Sequence, residues 1–349
     1  MPDAGHIGLI VAPRREGTDA IGDYTRLLVA ALRQEAVEAD FLEWRADDVN
    51  GDLGALVIQY NPFSFGRWGF APRLPLFLAR LRRRRRRPRI AVMFHETYVD
   101  MRSAAWALMG SWQRVQLVAV QAGADIQFCS IQRWTEQLRR TAHGRPVHHL
   151  PVPSNLPDAR AERKRARRRI GADADTLVLG CLGLRHPGRL PGHVLAAARA
   201  ARAAGSADVL VLDLGPGEPS EKMPASHIRV CSTGFLDAPD LASHIAAADV
   251  FLAPYMDGVS TRRGSMMAAL QHAVPVVGTS GHLTDDVLRD APCLTLVPVN
   301  GSDGYAQAVA AFATDAERRA ELGAGGRRMY EQHFDWPVLV DRLRRHLDV

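Results

Sequence analysis

A chain of 349 residues is too long for a typical single domain and suits two. Its 47% hydrophobic and 23% charged residues are ordinary globular composition, and no apolar run reaches the ~20 residues that span a bilayer. The net charge of +6 rests on 44 basic residues, of which only Lys164 and Lys222 are lysines. That arginine bias, with abundant Ala, Gly and Pro, points to a GC-rich coding sequence rather than to nucleic-acid binding.

The chain opens with a short strand-like run lacking a basic n-region and a long h-region, so a cytoplasmic location is expected. Strand-like runs then fall at His6–Ala12, Ala39–Trp44, Leu56–Tyr60, Ile90–Phe94, Ile126–Ser130 and Val147–Leu150. Helical patterns lie between several of them, most clearly Tyr24–Glu35, where Leu27, Leu28, Ala31 and Leu32 share a face. A helical segment, Leu74–Leu81, runs into Arg82–Arg87. That run reads first as a solvated helix end that complements the dipole, and second as a weak peripheral contact for an anionic membrane. No aromatic residues interleave with it as nucleic-acid stacking requires.

Three prolines in Pro151–Pro157 (PVPSNLP) mark a linker, and the basic cluster Arg163–Arg169 reads as an exposed helix closed by Gly171. Strands are expected again at Leu177–Leu182, Val209–Leu214, Ile228–Cys231, Val250–Ala253, Val274–Val277 and Leu294–Val297, alternating with helices. The expected fold class is α/β, with two tandem Rossmann-like doubly wound domains, an interdomain cleft and a C-terminal helix. The boundaries are 1–152, 153–333 and a terminal helix, 334–349, packing back on the first domain. The four cysteines, Cys129, Cys181, Cys231 and Cys293, have no metal or redox spacing and are expected as free thiols.

Ligands of such sheets bind outside the carboxyl ends of the strands. Candidates there are Gly22, after the first strand, and His95 with Glu96, after the fourth. Gly22 reads either as a close approach to a ligand or as part of a turn capped by Thr18 or Asp23. His95 is placed to donate to a leaving phosphate or a sugar hydroxyl. The glycine- and proline-rich segment Gly183–Gly192 carries Arg185, His186 and Arg189. The most informative stretch is Asp257–Gly278, DGVSTRRGSMMAALQHAVPVVG. A Gly/Ser/Thr/Arg loop feeds a short helix, leaving backbone N–H groups and the positive end of the dipole for an anion. Arg262 and Arg263 stand by to clamp phosphate oxygens. No dinucleotide fingerprint and no P-loop occurs. Asp285 and Asp286 read as helix caps, and no metal site is expected.

Six segments in this order resemble the GT-B glycosyltransferases of the retaining family-4, or group 1, type. They are AIGDYTRLLVAAL (Ala20–Leu32), QYNPFSFG (Gln59–Gly66), VMFHETYV (Val92–Val99), PVPSNLP, DGVSTRRGSMMAALQHAVPVVGTSG (Asp257–Gly281) and FDWPVLVDRL (Phe334–Leu343). The resemblance implies metal-independent, cofactor-free sugar transfer with retention. The donor is a nucleotide sugar, UDP-linked before GDP-linked, and the acceptor a hydroxyl on a small natural product or glycan precursor. It implies catalytic roles for His95 and Arg189. Donor contacts fall to Gly22, Arg185, Gly234, Phe235, Leu236, Asp257, Ser260, Arg263, Gly264 and Ser265, and acceptor contacts to Asn61, Glu96 and Tyr98. The chain departs from the family's Glu-x7-Glu motif. Asp257 stands for the first Glu, and the second falls on Ala268 or Ser265, depending on the direction of counting. A non-catalytic nucleotide-sugar scaffold and a sugar-nucleotide epimerase are the alternatives.

Overall fold

A computed structural model describes residues 3–13, 19–45, 49, 53–99, 103–206, 208–215 and 228–348. The chain divides into two compact units, one of Met1–Pro151 with Trp336–Val349 and one of Val152–Asp335.

The first unit is built on strands β1 (Asp3–Val11), β2 (Ala39–Glu43), β3 (Leu53–Tyr60), β4 (Arg89–Phe94), β5 (Ile126–Cys129) and β6 (Val147–His149). They form one sheet in the order β2-β1-β3-β4-β5-β6, and every pairing is parallel. Both faces are covered by helices, so β3 and β4 are almost continuously buried apolar runs. The helices are α1 (Ala20–Gln34), α2 (Arg73–Arg82), α3 (Ala104–Gly123) and α4 (Gln132–Thr141), with the terminal helix Trp336–Leu347. The terminal helix buries Leu339, Val340 and Leu343 and sets Trp336 against the ring of Tyr24 at 5.5 Å.

The Arg82–Arg87 run is only partly a solvated helix end. Arg82 and Arg87 both turn onto Asp125, which also accepts from the backbone N–H of Ile90 at 3.0 Å. Burial opposes the charge of Asp125, yet the Arg87 hydrogen bond and its neighbours hold the carboxyl below the usual range. Arg83–Arg86 remain exposed.

The second unit holds β7 (Thr176–Leu182), β8 (Asp208–Leu214), β9 (Ile228–Ser232), β10 (Val250–Ala253), β11 (Val276–Ser280) and β12 (Leu294–Pro298). Its helices are α5 (Arg163–Arg169), α6 (Pro191–Ala203), α7 (Ala238–Ala247), α8 (Gly264–Gln271), α9 (Asp286–Arg289), α10 (Ser302–Ala313) and α11 (Ala316–His333). The parallel sheet runs β12-β11-β10-β7-β8-β9, which is the Rossmann order 3-2-1-4-5-6 read from its other edge. One face packs Val178, Leu210, Phe251 and the methionines of α8; the other packs Leu179, Val211, Leu252 and Tyr305. Gly171 does follow α5 with φ +65°. The basic helix is not simply exposed, however: Arg163 and Arg167 reach Asp249 at 2.5 and 2.8 Å and cap the carbonyls at the end of α7.

Candidate functional site

In the second sheet the strand order reverses between β7 and β10, the place where a doubly wound sheet opens a crevice. Arg189, after β7, and Tyr255, after β10, form an isolated antiparallel bridge across that point. The two loops are laced by backbone bonds: Leu190 donates to Pro254 and Met256 to Gly188, both at 3.0 Å. The Arg189 guanidinium lies 3.7 Å above the centre of the Tyr255 ring, and that of Arg263 lies 4.2 Å from the same ring. The ring is buried, and its hydroxyl sits 2.8 Å from Ser265 Oγ, in the first turn of α8. One phenol therefore positions two guanidiniums and a helix start.

Asp257 completes the cluster. Its carboxylate accepts from Arg262 at 2.8 Å and from Arg263 at 2.7 and 2.8 Å. Burial works against this carboxylate, but Arg263 and then Arg262 hold it below its usual range. Three guanidiniums against one carboxylate leave positive charge in excess. Arg263 Nε is buried and has no acceptor among the described residues, a condition an anion relieves. Burial, and then the charges of Arg263, Arg189 and Arg262, lower the pKa of His186, whose Nδ1 accepts from Gly188 N–H at 3.0 Å. The imidazole is thus neutral, with its proton on Nε2. At the N-cap of α8, Arg263 makes no side-chain capping bond, so its side chain does not serve the first-turn N–H groups.

The loop is held rigidly. Gly258 has φ +85°, and a Cβ there would lie 2.3 Å from the Gly281 nitrogen and from Thr284 Oγ1. Asp285 does not act as the cap its sequence position suggests. Its buried carboxylate accepts from the N–H and Oγ1 of Thr261 at 2.7 and 2.9 Å, pinning the loop from beneath.

The remaining donor candidates of this unit are spread around the same end of the sheet. Arg185 faces Asp213, 3.9 Å away, rather than Tyr255. Burial raises the Asp213 pKa and Arg185 offsets part of it. Gly234, at φ +67°, follows β9 and leaves Phe235 69% exposed, while Leu236 packs on the core. Ser260 is fully buried. Of the two positions for a second Glu, Ala268 is buried in α8, whereas Ser265 is half-buried at the helix start.

In the first unit Gly22 lies within the first turn of α1, not in a loop. Asp19, rather than Thr18 or Asp23, is the cap and accepts from Gly22 N–H at 2.9 Å; a Cβ on Gly22 would collide with the Asp19 carboxylate. Gly17 and Thr18 lie outside the described residues. His95 follows β4, buried, with Nε2 2.7 Å from Gln59 Oε1 and its ring edge-on to Tyr24 at 5.1 Å. Burial lowers its pKa to about 4, so it is neutral at pH 7 and does not serve as a ready imidazolium donor. Asn61 donates to Glu96 at 3.2 Å, and Tyr98 lies under the Arg114 guanidinium at 3.9 Å.

Sequence reasoning missed Tyr255, Tyr24 and Gln59. Each sits at the end of an apolar strand or on an apolar helix face and reads as core; only the polar atom on an otherwise apolar stretch signals more. A cavity of about 400 Å³ does exist elsewhere in the second unit, beside Asp249 at the amino end of β10, lined by Arg160, Arg163, His272 and Arg319. Its arginines already serve carbonyls and carboxylates, so it lacks the unsatisfied charge of the Tyr255 cluster.

Residues 178–315 match the family described as Glycosyl transferases group 1. Over 261 residues the chain is 26% identical to the GDP-mannose-dependent monoacylated alpha-(1-6)-phosphatidylinositol monomannoside mannosyltransferase of Corynebacterium glutamicum, covering 68% of this chain and 65% of that protein. The chain thus spans less than two thirds of that relative's length. Sucrose-phosphate synthase from Thermosynechococcus elongatus superposes with a TM-score of 0.70 at 16% identity, covering 98% of this chain and 99% of that one. Anabaena HepE, solved with UDP and glucose, superposes with a TM-score of 0.68 at 12% identity over the same shares.

Proposed function

We propose that this chain, which has the GT-B fold and carries a group 1 glycosyltransferase segment in its second unit, transfers a sugar from a nucleoside diphosphate to a hydroxyl acceptor. The observation that carries the reading is the stack of Arg189 and Arg263 on Tyr255, joined to the start of α8. Such a cluster matches a diphosphate in charge and in geometry. Arg189, Arg263 and the first-turn N–H groups would neutralise the departing diphosphate, the role a metal plays elsewhere. The exposed ring of Phe235 is suited to stack on the base. The neutral His95 is suited to accept a hydrogen bond from a sugar hydroxyl at Nδ1.

Retention is what the family resemblance implies, and the cluster is compatible with a retaining route that uses no enzyme nucleophile. The Asp257 carboxylate is committed to two arginines, which removes it from service as a nucleophile for a double displacement. We therefore assign front-face attack. The acceptor oxygen bonds to the anomeric carbon as the bond to the phosphate oxygen breaks, and the acceptor proton passes to that departing oxygen.

A thermal-shift panel of UDP, GDP, ADP and TDP, run on the wild type and on Arg189→Ala, tests the site. The Corynebacterium relative is named for GDP-mannose and the Anabaena protein was solved with UDP, so GDP and UDP come first. One diphosphate at ~100 Kd should stabilise the wild type by about 2.7 kcal/mol and leave the variant unmoved. No response to any of the four would sink the transferase reading.

A further inference from the structure

Helix α3 reverses part of the usual pattern. Its buried side carries Gln113, Gln116 and Gln121 beside Leu117 and Val120. Gln113 accepts from Val99 N–H at 2.9 Å, Gln116 from Ala71 N–H at 2.7 Å, and Gln121 donates to Gln127 at 2.7 Å. Its solvent side is apolar: Ala104, Leu108, Val115, Val118, Ala119 and Ala122 recur at helical spacing and are all exposed, with Ser111 as the polar member. Leu108 is 66% exposed and Val115 73%. An ordinary surface helix has the reverse arrangement.

The neighbouring segments extend this face. Trp68, 63% exposed, is held at φ +55°, a conformation rare for a bulky residue, with its carbonyl accepting from Trp112 Nε1 at 3.3 Å. Phe70 is 59% exposed and meets the Trp112 ring edge-on. Helices α2 and α3 lie side by side, bonded at Ala71–Gln116 and in contact at Leu78–Gly123. The outward side of α2 adds Leu76, Arg73, Arg80 and Arg83, and Arg84–Arg86 follow its end, all exposed. Residues 61–95 and 103–124 contain no aspartate or glutamate.

We propose that the α2–α3 face docks on an anionic lipid bilayer. The apolar ridge of α3 enters the boundary between headgroups and acyl chains. Trp68 and Trp112 lie at the interface that indole rings favour, and Arg83, Arg85 and Arg86 meet lipid phosphates. Charge decides between this occupant and a second copy of the chain. The segments 61–95 and 103–124 that build the face carry no carboxylate of their own, so pairing it with a second copy sets like charges together, whereas an anionic surface complements them. Among the described residues no helix is long and apolar enough to cross a membrane, so the mode is lying on the surface. The proposal does not rest on the donor site.

The test is co-sedimentation of the full chain with phosphatidylcholine vesicles, alone and with about 30% phosphatidylglycerol. The wild type should pellet with the anionic vesicles. Replacing Arg83, Arg85 and Arg86 by Ala should lower partitioning about a hundredfold, at about fivefold per arginine. Leu108→Glu with Val115→Glu, both at exposed positions, should abolish it while leaving the circular-dichroism melt unchanged. No pelleting of the wild type overturns the proposal, as does equal pelleting of all three proteins. A wild-type dimer that the double Glu variant converts to a monomer, without vesicle binding by either, also overturns it and assigns the face to a second copy.

Discussion

The carboxyl ends of the two sheets use the same topology for opposite electrostatics. In the second sheet three arginines and Asp257 gather around a buried tyrosine, with donor groups in excess. In the first, His95 is neutral, buried and bonded to an uncharged amide, with Tyr24 edge-on to it. In the proposed transfer the end of the second sheet takes the charged leaving group, and that of the first, where Glu96 is held by Asn61 beside the neutral His95, takes hydroxyls. The difference shows why a shared fold does not make the two units interchangeable: side chains at the strand ends decide what each end holds.

The charged end depends on a rigid mount, and breaking the mount should have the largest effect. Asp285→Ala removes a buried charged acceptor from two Thr261 donors, at a cost of about 3 kcal/mol in stability. Because the pin lies beneath the Asp257–Arg263 loop, nucleoside-diphosphate affinity should fall with it. Urea unfolding and a binding titration on the same variant check both. Lost stability with intact affinity would show that the loop holds its shape without the pin.

The neutral end should reveal itself through pH. His95 has a folded pKa of about 4 against an ordinary value of 6.5. The native state therefore binds fewer protons than the unfolded chain between those values. Its contribution is fully present above pH 6.5 and is lost as pH falls toward 4. Between pH 7 and pH 4.5 the wild type should lose about 2.5 kcal/mol more than His95→Gln. Parallel slopes for the two proteins in urea unfolding would mean that the imidazole is wetter than its burial indicates.

Much of this was legible in the residues. The alternation of apolar strands with helices announces two doubly wound sheets, and the order of elements around Asp257–Gly278 locates a loop and helix start at a strand end. Three kinds of feature were not legible. Tyr255 and Gln59 lie in apolar stretches, where their polar atoms look incidental until a neighbour 2.8 or 2.7 Å away is known. Asp285 stands where a cap belongs, and only the fold turns it toward Thr261. Helix α3 carries its glutamines inward and Leu108, Val115 and Val118 outward, so hydrophobic periodicity misplaces its buried face. Local pattern encodes elements well because burial is periodic; it encodes partners poorly because partners come from distant parts of the chain.

Tyr255 offers the finest test of the charged end, because two substitutions separate its two functions. Tyr255→Phe keeps the ring under Arg189 and Arg263 and removes only the bond to Ser265 Oγ. Tyr255→Leu keeps an apolar side chain but removes the π face. A partly desolvated cation–π contact is worth about 1 kcal/mol, and the leucine variant also frees both guanidiniums to rotate. Its affinity for the nucleoside diphosphate should therefore drop about tenfold, a change of 1.4 kcal/mol, while the phenylalanine variant stays within about threefold. Isothermal titration distinguishes them. If phenylalanine proves as damaging as leucine, the hydroxyl bond to the helix start, and not the ring, is what orders the arginines, and the anion site is organised from α8 outward rather than from the switch-point tyrosine.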